Sequence, residues 1–129
     1  MKIVAVVGAR PNFVKIAPIL AELREYPYFA TTLVHTGQHY DAKMSDAFFA
    51  NLDIPRPDVN LNVQASGAVA QMAEIMTRLE AVLSSRRPDI VLVVGDVTST
   101  VAAAIIVVQR QGRRQTVFEI INLIFLRGK

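Results

Sequence analysis

Two short loops carry residues that could bind an anion and transfer a proton. They are Gly8-Ala9-Arg10-Pro11 and Gly95-Asp96-Val97-Thr98. Glycine lets the backbone approach a ligand closely, and the guanidinium fork of Arg10 matches the oxygens of a diphosphate. The carboxylate of Asp96 would repel phosphate, so it is better suited to proton transfer or to a hydrogen bond with a sugar hydroxyl. The two loops therefore indicate an anion site with an acid–base group beside it.

Each of these residues also has a purely structural interpretation. Asp96 could be the N-cap of the following helix, with Thr98 and Ser99 as helpers. Arg10 could belong to a surface ion pair. The glycine spacing is not that of a dinucleotide fingerprint, and no Walker lysine follows. Taken alone, the residues indicate an anion-binding α/β domain and nothing more specific.

A third loop, His35-Thr36-Gly37-Gln38-His39-Tyr40, contains two histidines four residues apart. That spacing could suggest a metal, but the loop lacks the carboxylate and the helix of an HExxH site. We therefore predict no metal here. We expect Gln38 and His39 to make polar contacts to a sugar or to a neighbouring domain.

The elements that must position these loops alternate along the chain, which predicts βαβ units and a parallel sheet with helices on both faces. Strands are predicted at Lys2 to Val7, Thr31 to Thr36, Val59 to Val63, Ile90 to Val94 and Thr116 to Leu126. Helices are predicted from Pro11 to about Leu23, Ala42 to Asn51, Gly67 to Ser85 and Thr98 to Arg110.

Right-handed crossovers favour the strand order 3-2-1-4-5, in which strands one and four are neighbours. Ligands of open parallel sheets bind beyond the carboxyl ends of the strands, where the strand order reverses. Both glycine loops open a helix at this point, and helix N-termini favour anions. We therefore predict that Arg10 and Asp96 lie side by side above the sheet.

Helical spacing of apolar residues predicts the buried faces of two helices. The first helix would bury Phe13, Ile16, Ala17, Leu20 and Leu23. The long helix would bury Val69, Met72, Ile75, Met76, Leu79 and Val82, with the methionines as core filler.

Composition excludes several classes of protein. The chain has 129 residues, 52% of them hydrophobic, which fits one domain over residues 1–129. It has no cysteine and a net charge of only +3, so disulfides and thiolate metal sites are excluded and nucleic-acid binding is not expected. The apolar run 90–108 is interrupted by Asp96 and three hydroxyl residues, which argues against a membrane helix. We expect a cytoplasmic protein.

Three motifs together resemble the N-terminal part of the non-hydrolysing UDP-N-acetylglucosamine 2-epimerases. They are Val6 to Pro18 (VVGARPNFVKIAP), Thr36 to Asp41 (TGQHYD) and Pro88 to Thr100 (PDIVLVVGDVTST). They occur in the family's order and make the resemblance cover residues 1 to about 112.

The resemblance implies a two-domain GT-B architecture, of which this chain would be the N-terminal Rossmann-like half. Family members interconvert UDP-N-acetylglucosamine and UDP-N-acetylmannosamine without a metal or nicotinamide cofactor. UDP is eliminated to give a 2-acetamidoglucal and is then added back. The resemblance further implies a UDP-sugar ligand, a role in cell-surface polysaccharide biosynthesis, and a homodimer as one arrangement.

The family's functional residues carry over position by position. Arg10 would bind the diphosphate, supported by Lys15 and by the backbone at Gly8. Asp96 would transfer or position a proton near the sugar, with Thr98 lining the substrate site. Gln38 matches a loop residue that contacts an allosteric substrate in some bacterial members, whereas Asp41 replaces the second glutamine found there.

The tail, residues 113–129, diverges from the family. Counting without gaps places Glu119 where the family has a catalytic glutamate, but Val117 replaces the motif's histidine and no Gly-Leu-Arg follows. Glu119 is therefore either a catalytic candidate or a chance match within a strand. We expect the chain alone to be inactive or weakly active. The alternatives are a non-catalytic nucleotide-binding module that pairs with another chain and a GT-B glycosyltransferase.

Overall fold

Five parallel strands form one sheet in the computed structural model, which describes residues 1–37, 46–94, 98–109 and 116–120, with the backbone alone for residues 46, 99 and 116–120. The elements are β1 (Lys2–Val7), α1 (Arg10–Arg24), β2 (Ala30–His35), α2 (Asp46–Asn51), β3 (Val59–Asn60), α3 (Ala68–Arg86), β4 (Ile90–Val94), α4 (Thr98–Gln109) and β5 (Thr116–Ile120).

The strand order is β3-β2-β1-β4-β5, which confirms the predicted order. The central strand is β1: Val6 pairs with Val34 of β2 on one side and with Val93 of β4 on the other. Residues 3–7 are all buried, as expected for a parallel strand covered on both faces.

Helices cover both faces of the sheet, and each face has its own apolar cluster. On one face, Ile3, Ala5 and Val7 pack with residues of α1 and α2. On the other, Val4, Val6, Val91 and Val93 pack with residues of α3 and α4. Because α1 leaves β1 toward the first face and α4 leaves β4 toward the second, the sheet has a switch point between β1 and β4.

The third strand is shorter than predicted. The structure assigns only Val59–Asn60 to β3, although Leu61 and Val63 bury their side chains as the alternating pattern predicts. Asn62 interrupts the strand because its φ is 51°, in the left-handed region that asparagine tolerates better than most residues. The pattern therefore predicted burial correctly and strand length incorrectly.

The predicted buried face of α3 also needs a correction. Val69 is 84% exposed, because residues 68–70 at the start of the helix all face solvent. The fully buried side chains are Ile75, Leu79 and Leu83, of which Leu83 was not predicted. Met72, Met76 and Val82 pack against this cluster as partly buried residues, which confirms the role of the methionines as core filler.

Parts of three predicted elements lie outside the described residues. They are residues 42–45 of α2, Arg110 of α4 and residues 121–126 of β5. Within the described ranges, no helix combines the length and the apolar character needed to cross a membrane.

Candidate active site at the switch point

The turn between β1 and α1 places Arg10 at the carboxyl edge of the sheet. Gly8 is buried, and Ala9 is the extended N-cap of α1, with φ −141° and ψ 161°. Pro11 lies in the first turn of the helix, where a missing N–H is tolerated. The Ala9 N–H donates to Oδ1 of Asn12 at 3.1 Å, and the Asn12 N–H donates to the Ala9 carbonyl at 3.0 Å.

These bonds determine which hydrogen-bond donors of the turn remain available to bind an anion. The N–H groups of Ala9 and Asn12 are occupied and proline has none, so this turn offers fewer main-chain donors than an ordinary helix N-terminus. Within the described contacts, the N–H and the guanidinium of Arg10 remain. Arg10 therefore supplies most of the hydrogen-bonding capacity of the turn toward an anion.

The guanidinium of Arg10 lies over an aromatic ring. Its central carbon is 5.0 Å from the centroid of Phe48 in α2, within the range of a cation–π contact. The exposed arginine thus rests on a ring that is only 9% exposed. Phe48 itself packs edge-on against Phe13 of α1, with a centroid distance of 6.2 Å. A packed aromatic group therefore supports the guanidinium.

The last residue of β4 connects the two helices of the switch point. The side-chain amide of Asn12 donates to the Val94 carbonyl, and the hydroxyl of Thr100 in α4 lies 3.4 Å from the same oxygen. Asn12 is 3% exposed and Thr100 8%. The first turns of α1 and α4, which cover opposite faces of the sheet, therefore share one acceptor.

The end of β2 lies beside the same edge. The N–H of Thr36 donates to the Val7 carbonyl at 3.0 Å, and the buried ring of His35 packs against Phe13 at 5.3 Å. The hydroxyl of Thr36 is buried and has no hydrogen-bond partner among the described residues. Gly37 has a φ of 77°, and a Cβ there would come within 2.9 Å of Asn60, so only glycine fits.

The electrostatic character of this edge favours an anion. Neither α1 nor α4 has an acidic residue in its first turn. Both helices direct the positive end of their dipole toward the edge, and Arg10 adds a full positive charge. In the described part of the chain, no three histidine or carboxylate side chains gather into a metal-binding group.

Several predicted site residues are brought together. Gly8 and Arg10 lie at the start of α1, and Thr98 is the first residue of α4, half-buried at the same edge. Lys15 is half-buried further along α1. The backbone of Glu119 lies in β5, where it pairs with Val93 of β4.

The other predicted site residues lie outside the described ranges. They are Gln38, His39 and Asp96. Asp96 follows the last residue of β4 by two positions, and β4 is hydrogen-bonded to β1. The adjacency on which the pairing of Arg10 with Asp96 depends is confirmed, and the position of the carboxylate itself stays a prediction.

Sequence reasoning missed the side chains that hold this edge together. Asn12 stands at the third position of α1, where polar side chains can bond back to the N-cap, and that signal was readable. Its bond to Val94 and the contact of Arg10 with Phe48 join residues distant in sequence, so they required the fold.

Together, the open parallel sheet, the covering of both its faces and the polar edge at the switch point define a Rossmann-like α/β protein, whose ligand sites lie at this position. The family model for UDP-N-acetylglucosamine 2-epimerase matches residues 21–111. The chain belongs to the UDP-N-acetylglucosamine 2-epimerase family.

Similar proteins support this assignment. A UDP-N-acetylglucosamine 2-epimerase homolog of Methanococcus maripaludis is 46% identical over 105 residues, which cover 81% of this chain and 29% of the relative. A UDP-2,3-diacetamido-2,3-dideoxy-D-glucuronate 2-epimerase of Pseudomonas aeruginosa is 38% identical over 105 residues, covering 81% of this chain and 30% of the relative.

The fold class is confirmed by a solved structure. The Methanocaldococcus jannaschii UDP-GlcNAc 2-epimerase, in complex with UDP-GlcNAc and UDP, superimposes with a TM-score of 0.84 at 30% identity, over 93% of this chain and 32% of that structure. The chain thus spans about 30% of the length of the relatives that it matches.

Proposed function

We propose that this chain binds a UDP-sugar at the switch point between β1 and β4 and is the N-terminal domain of a UDP-N-acetylglucosamine 2-epimerase. The observation that carries the proposal is the meeting of the first turns of α1 and α4 at the Val94 carbonyl, beside Arg10. Membership of the family supplies the substrate class, and the positive edge supplies the physical reason for binding a nucleotide diphosphate.

In this proposal, Arg10 binds the diphosphate and Lys15 adds positive charge along α1. A guanidinium can donate two parallel hydrogen bonds to phosphate oxygens, which fixes the orientation of the ligand as well as its affinity. Gly8 allows the ligand to approach the backbone. Gln38 and His39 would contact the sugar from the loop after β2.

The chemistry that we propose is elimination followed by addition. A base removes the proton at sugar carbon 2, the bond between carbon 1 and the diphosphate oxygen breaks, and UDP leaves with the bonding electrons. The product is a 2-acetamidoglucal, and addition of UDP with a proton on the other face gives the epimer. Asp96 and Glu119 are the candidates for proton transfer, and Thr98 lines the substrate site.

We expect this chain alone to bind UDP and to turn over slowly or not at all. Elimination needs a base, an acid and a held diphosphate in one closed cleft, and the chain provides only some of these groups. The test is to incubate it with UDP-N-acetylglucosamine in D₂O and to follow the sugar carbon-2 proton by NMR. Exchange as fast as in a full-length relative would contradict this expectation, and absence of UDP binding would contradict the proposal itself.

Arg10→Ala and Asp96→Asn separate binding from chemistry. Arg10→Ala should weaken UDP binding by about tenfold or more, because charge-assisted hydrogen bonds contribute roughly 1.5–3 kcal/mol. Asp96→Asn should leave UDP affinity intact and remove any residual carbon-2 exchange. Isothermal titration and NMR measure the two effects.

Arg24→Ala is the matched control for the lost charge, because Arg24 lies at the far end of the same helix. It should leave UDP affinity unchanged. Equal loss of UDP affinity in the Arg10 and Asp96 variants would show that the two roles are wrongly assigned.

A second candidate function is a non-catalytic nucleotide-binding module that pairs with another chain. Three exposed apolar residues of α4 favour a protein partner: Val101, Ile105 and Val108 lie along one stripe, and Val108 is 76% exposed. We propose a second copy of this chain as that partner. Sedimentation equilibrium tests it, and a strict monomer at high concentration would contradict the dimer.

The proposal also includes a cytoplasmic location and a role in cell-surface polysaccharide biosynthesis, both of which the family suggests. The sugar of the Pseudomonas aeruginosa relative is an alternative substrate. The two candidates can be compared by how strongly each UDP-sugar displaces labelled UDP from this chain.

A further inference from the structure

Asn12 joins the two helices of the proposed site. Its Oδ1 accepts the Ala9 N–H at 3.1 Å, and its Nδ2 donates to the Val94 carbonyl. One partner can only donate and the other can only accept, so the side chain must offer one acceptor and one donor. An asparagine amide does both at this length, whereas a leucine or aspartate side chain of similar size does not.

The bond to Val94 reaches across the sheet. The same carbonyl lies 3.4 Å from the hydroxyl of Thr100, so α1 and α4 hold it from opposite faces. Asn12, Thr100 and Val94 are all buried. Water therefore does not compete for these bonds, and the two bonds of Asn12 constrain their partners more than the 3.4 Å contact of Thr100 does.

We infer that Asn12 is a positioning residue for the UDP-sugar: it sets the first turn of α1, and with it Arg10, in register with the first turn of α4. This inference rests on the proposed function. The Asn12 side chain is only 3% exposed and bonds to the protein through both Oδ1 and Nδ2, so it acts through Arg10 and not by touching the ligand. Loss of the amide would release the N-cap and the end of β4 together.

The first test is UDP titration of the full chain carrying Asn12→Leu, which keeps the volume and removes both bonds. UDP affinity should fall by about tenfold, because Arg10 is no longer held in position. That fall is the size expected from the loss of one hydrogen bond to the ligand. Ile75→Val is the control for stability alone, because Ile75 is fully buried in α3, away from this edge. It should lower the melting temperature and leave UDP affinity unchanged.

Two results of this titration would overturn the inference. One is an unchanged UDP affinity in Asn12→Leu. The other is an equal loss of affinity in Ile75→Val at a similar melting temperature, since the effect would then be one of stability.

A second readout does not depend on UDP. Asn12→Leu should move the backbone amide NMR signals of Thr100 and Val101 in α4, on the opposite face of the sheet. Thr77→Val is the control, because it removes a comparable side-chain bond, 2.9 Å long, to the Ala73 carbonyl on the exposed side of α3. It should leave those signals in place. Unmoved α4 signals in Asn12→Leu would overturn the inference.

These readouts separate the two proposals. If the wild-type chain does not bind UDP, the proposed function fails, and the α4 signals still decide whether Asn12 couples the helices. If Asn12→Leu does not fold, Thr100→Val tests the same connection from α4. It should move the amide signals of Ala9 and Arg10, and unmoved signals there would overturn the inference.

Discussion

Arg10 shows how a surface side chain can be prepared for a ligand. An exposed arginine normally samples many rotamers, and ordering it on binding costs conformational entropy. Here its guanidinium lies 5.0 Å from the ring of Phe48, which is itself packed on Phe13 and Phe49. Contact with a fixed ring restricts the arginine before a ligand arrives and leaves its N–H donors free to turn toward phosphate.

This arrangement predicts a role for Phe48 in UDP binding. Phe48→Leu should weaken UDP affinity several-fold, since an exposed cation–π contact contributes about 0.5–1 kcal/mol. Phe48→Tyr keeps the aromatic face and should restore most of the affinity. UDP titration by calorimetry measures both.

Arg10→Ala provides the control for this effect, because Phe48→Leu should change nothing further in that background. A full additional loss of affinity in the double variant would show that Phe48 acts by some route other than Arg10.

At the scale of elements, two glycines with positive φ angles separate the energetic cost of backbone strain from that of steric crowding. Gly37 has a φ of 77° and little room for a Cβ, whereas Gly67 has a φ of 89° and no atom within 4 Å of that position. Substitution of either by alanine adds strain of about 1–2 kcal/mol. Only Gly37→Ala also forces atoms against Asn60 and the backbone of Asn62.

Gly37→Ala should therefore lower the free energy of unfolding by about 3 kcal/mol, and Gly67→Ala by about 1 kcal/mol. Urea denaturation followed by circular dichroism measures both. Equal losses in the two variants would mean that the loop after β2 yields easily, and the close packing at Gly37 would then have little energetic weight.

The elements also show where sequence reasoning succeeds and where it stops. Strands β1 and β4 have the predicted bounds because each is a short apolar run that ends before a glycine. Such a run is typical of a parallel strand buried on both faces. The length of β3 was wrong because Asn62 adopts a backbone conformation that side-chain periodicity does not encode. The predicted burial of Val69 was wrong because the spacing of apolar residues does not show where a helix extends beyond the sheet.

The candidate site was predictable to a similar degree. The switch point follows from strand order and the handedness of crossovers, so the adjacency of the loops after β1 and β4 could be predicted. The roles of Asn12 and Phe48 could not, because each depends on a contact between distant elements. The sequence therefore predicts where the loops after β1 and β4 lie, but not the contacts of Asn12 and Phe48 that fix their positions.

At the scale of the whole molecule, the central strands should be the most stable part. The side chains of residues 3–7 in β1 are buried on both faces, and the strand is hydrogen-bonded to a neighbour on each side. Amide hydrogen exchange in D₂O should therefore be slowest in residues 3–7. It should be faster in the short helix α2 and in β3, an outer strand of the sheet. Exchange in α3 slower than in β1 would contradict this order of stability.

The buried hydroxyl of Thr36 means that the molecule is less stable than its own fold allows. It has no hydrogen-bond partner among the described residues, and burying such a group costs about 1–3 kcal/mol. Valine has nearly the same shape without the oxygen. Selection for heat resistance alone would therefore favour valine at this buried position beside the polar edge of the sheet.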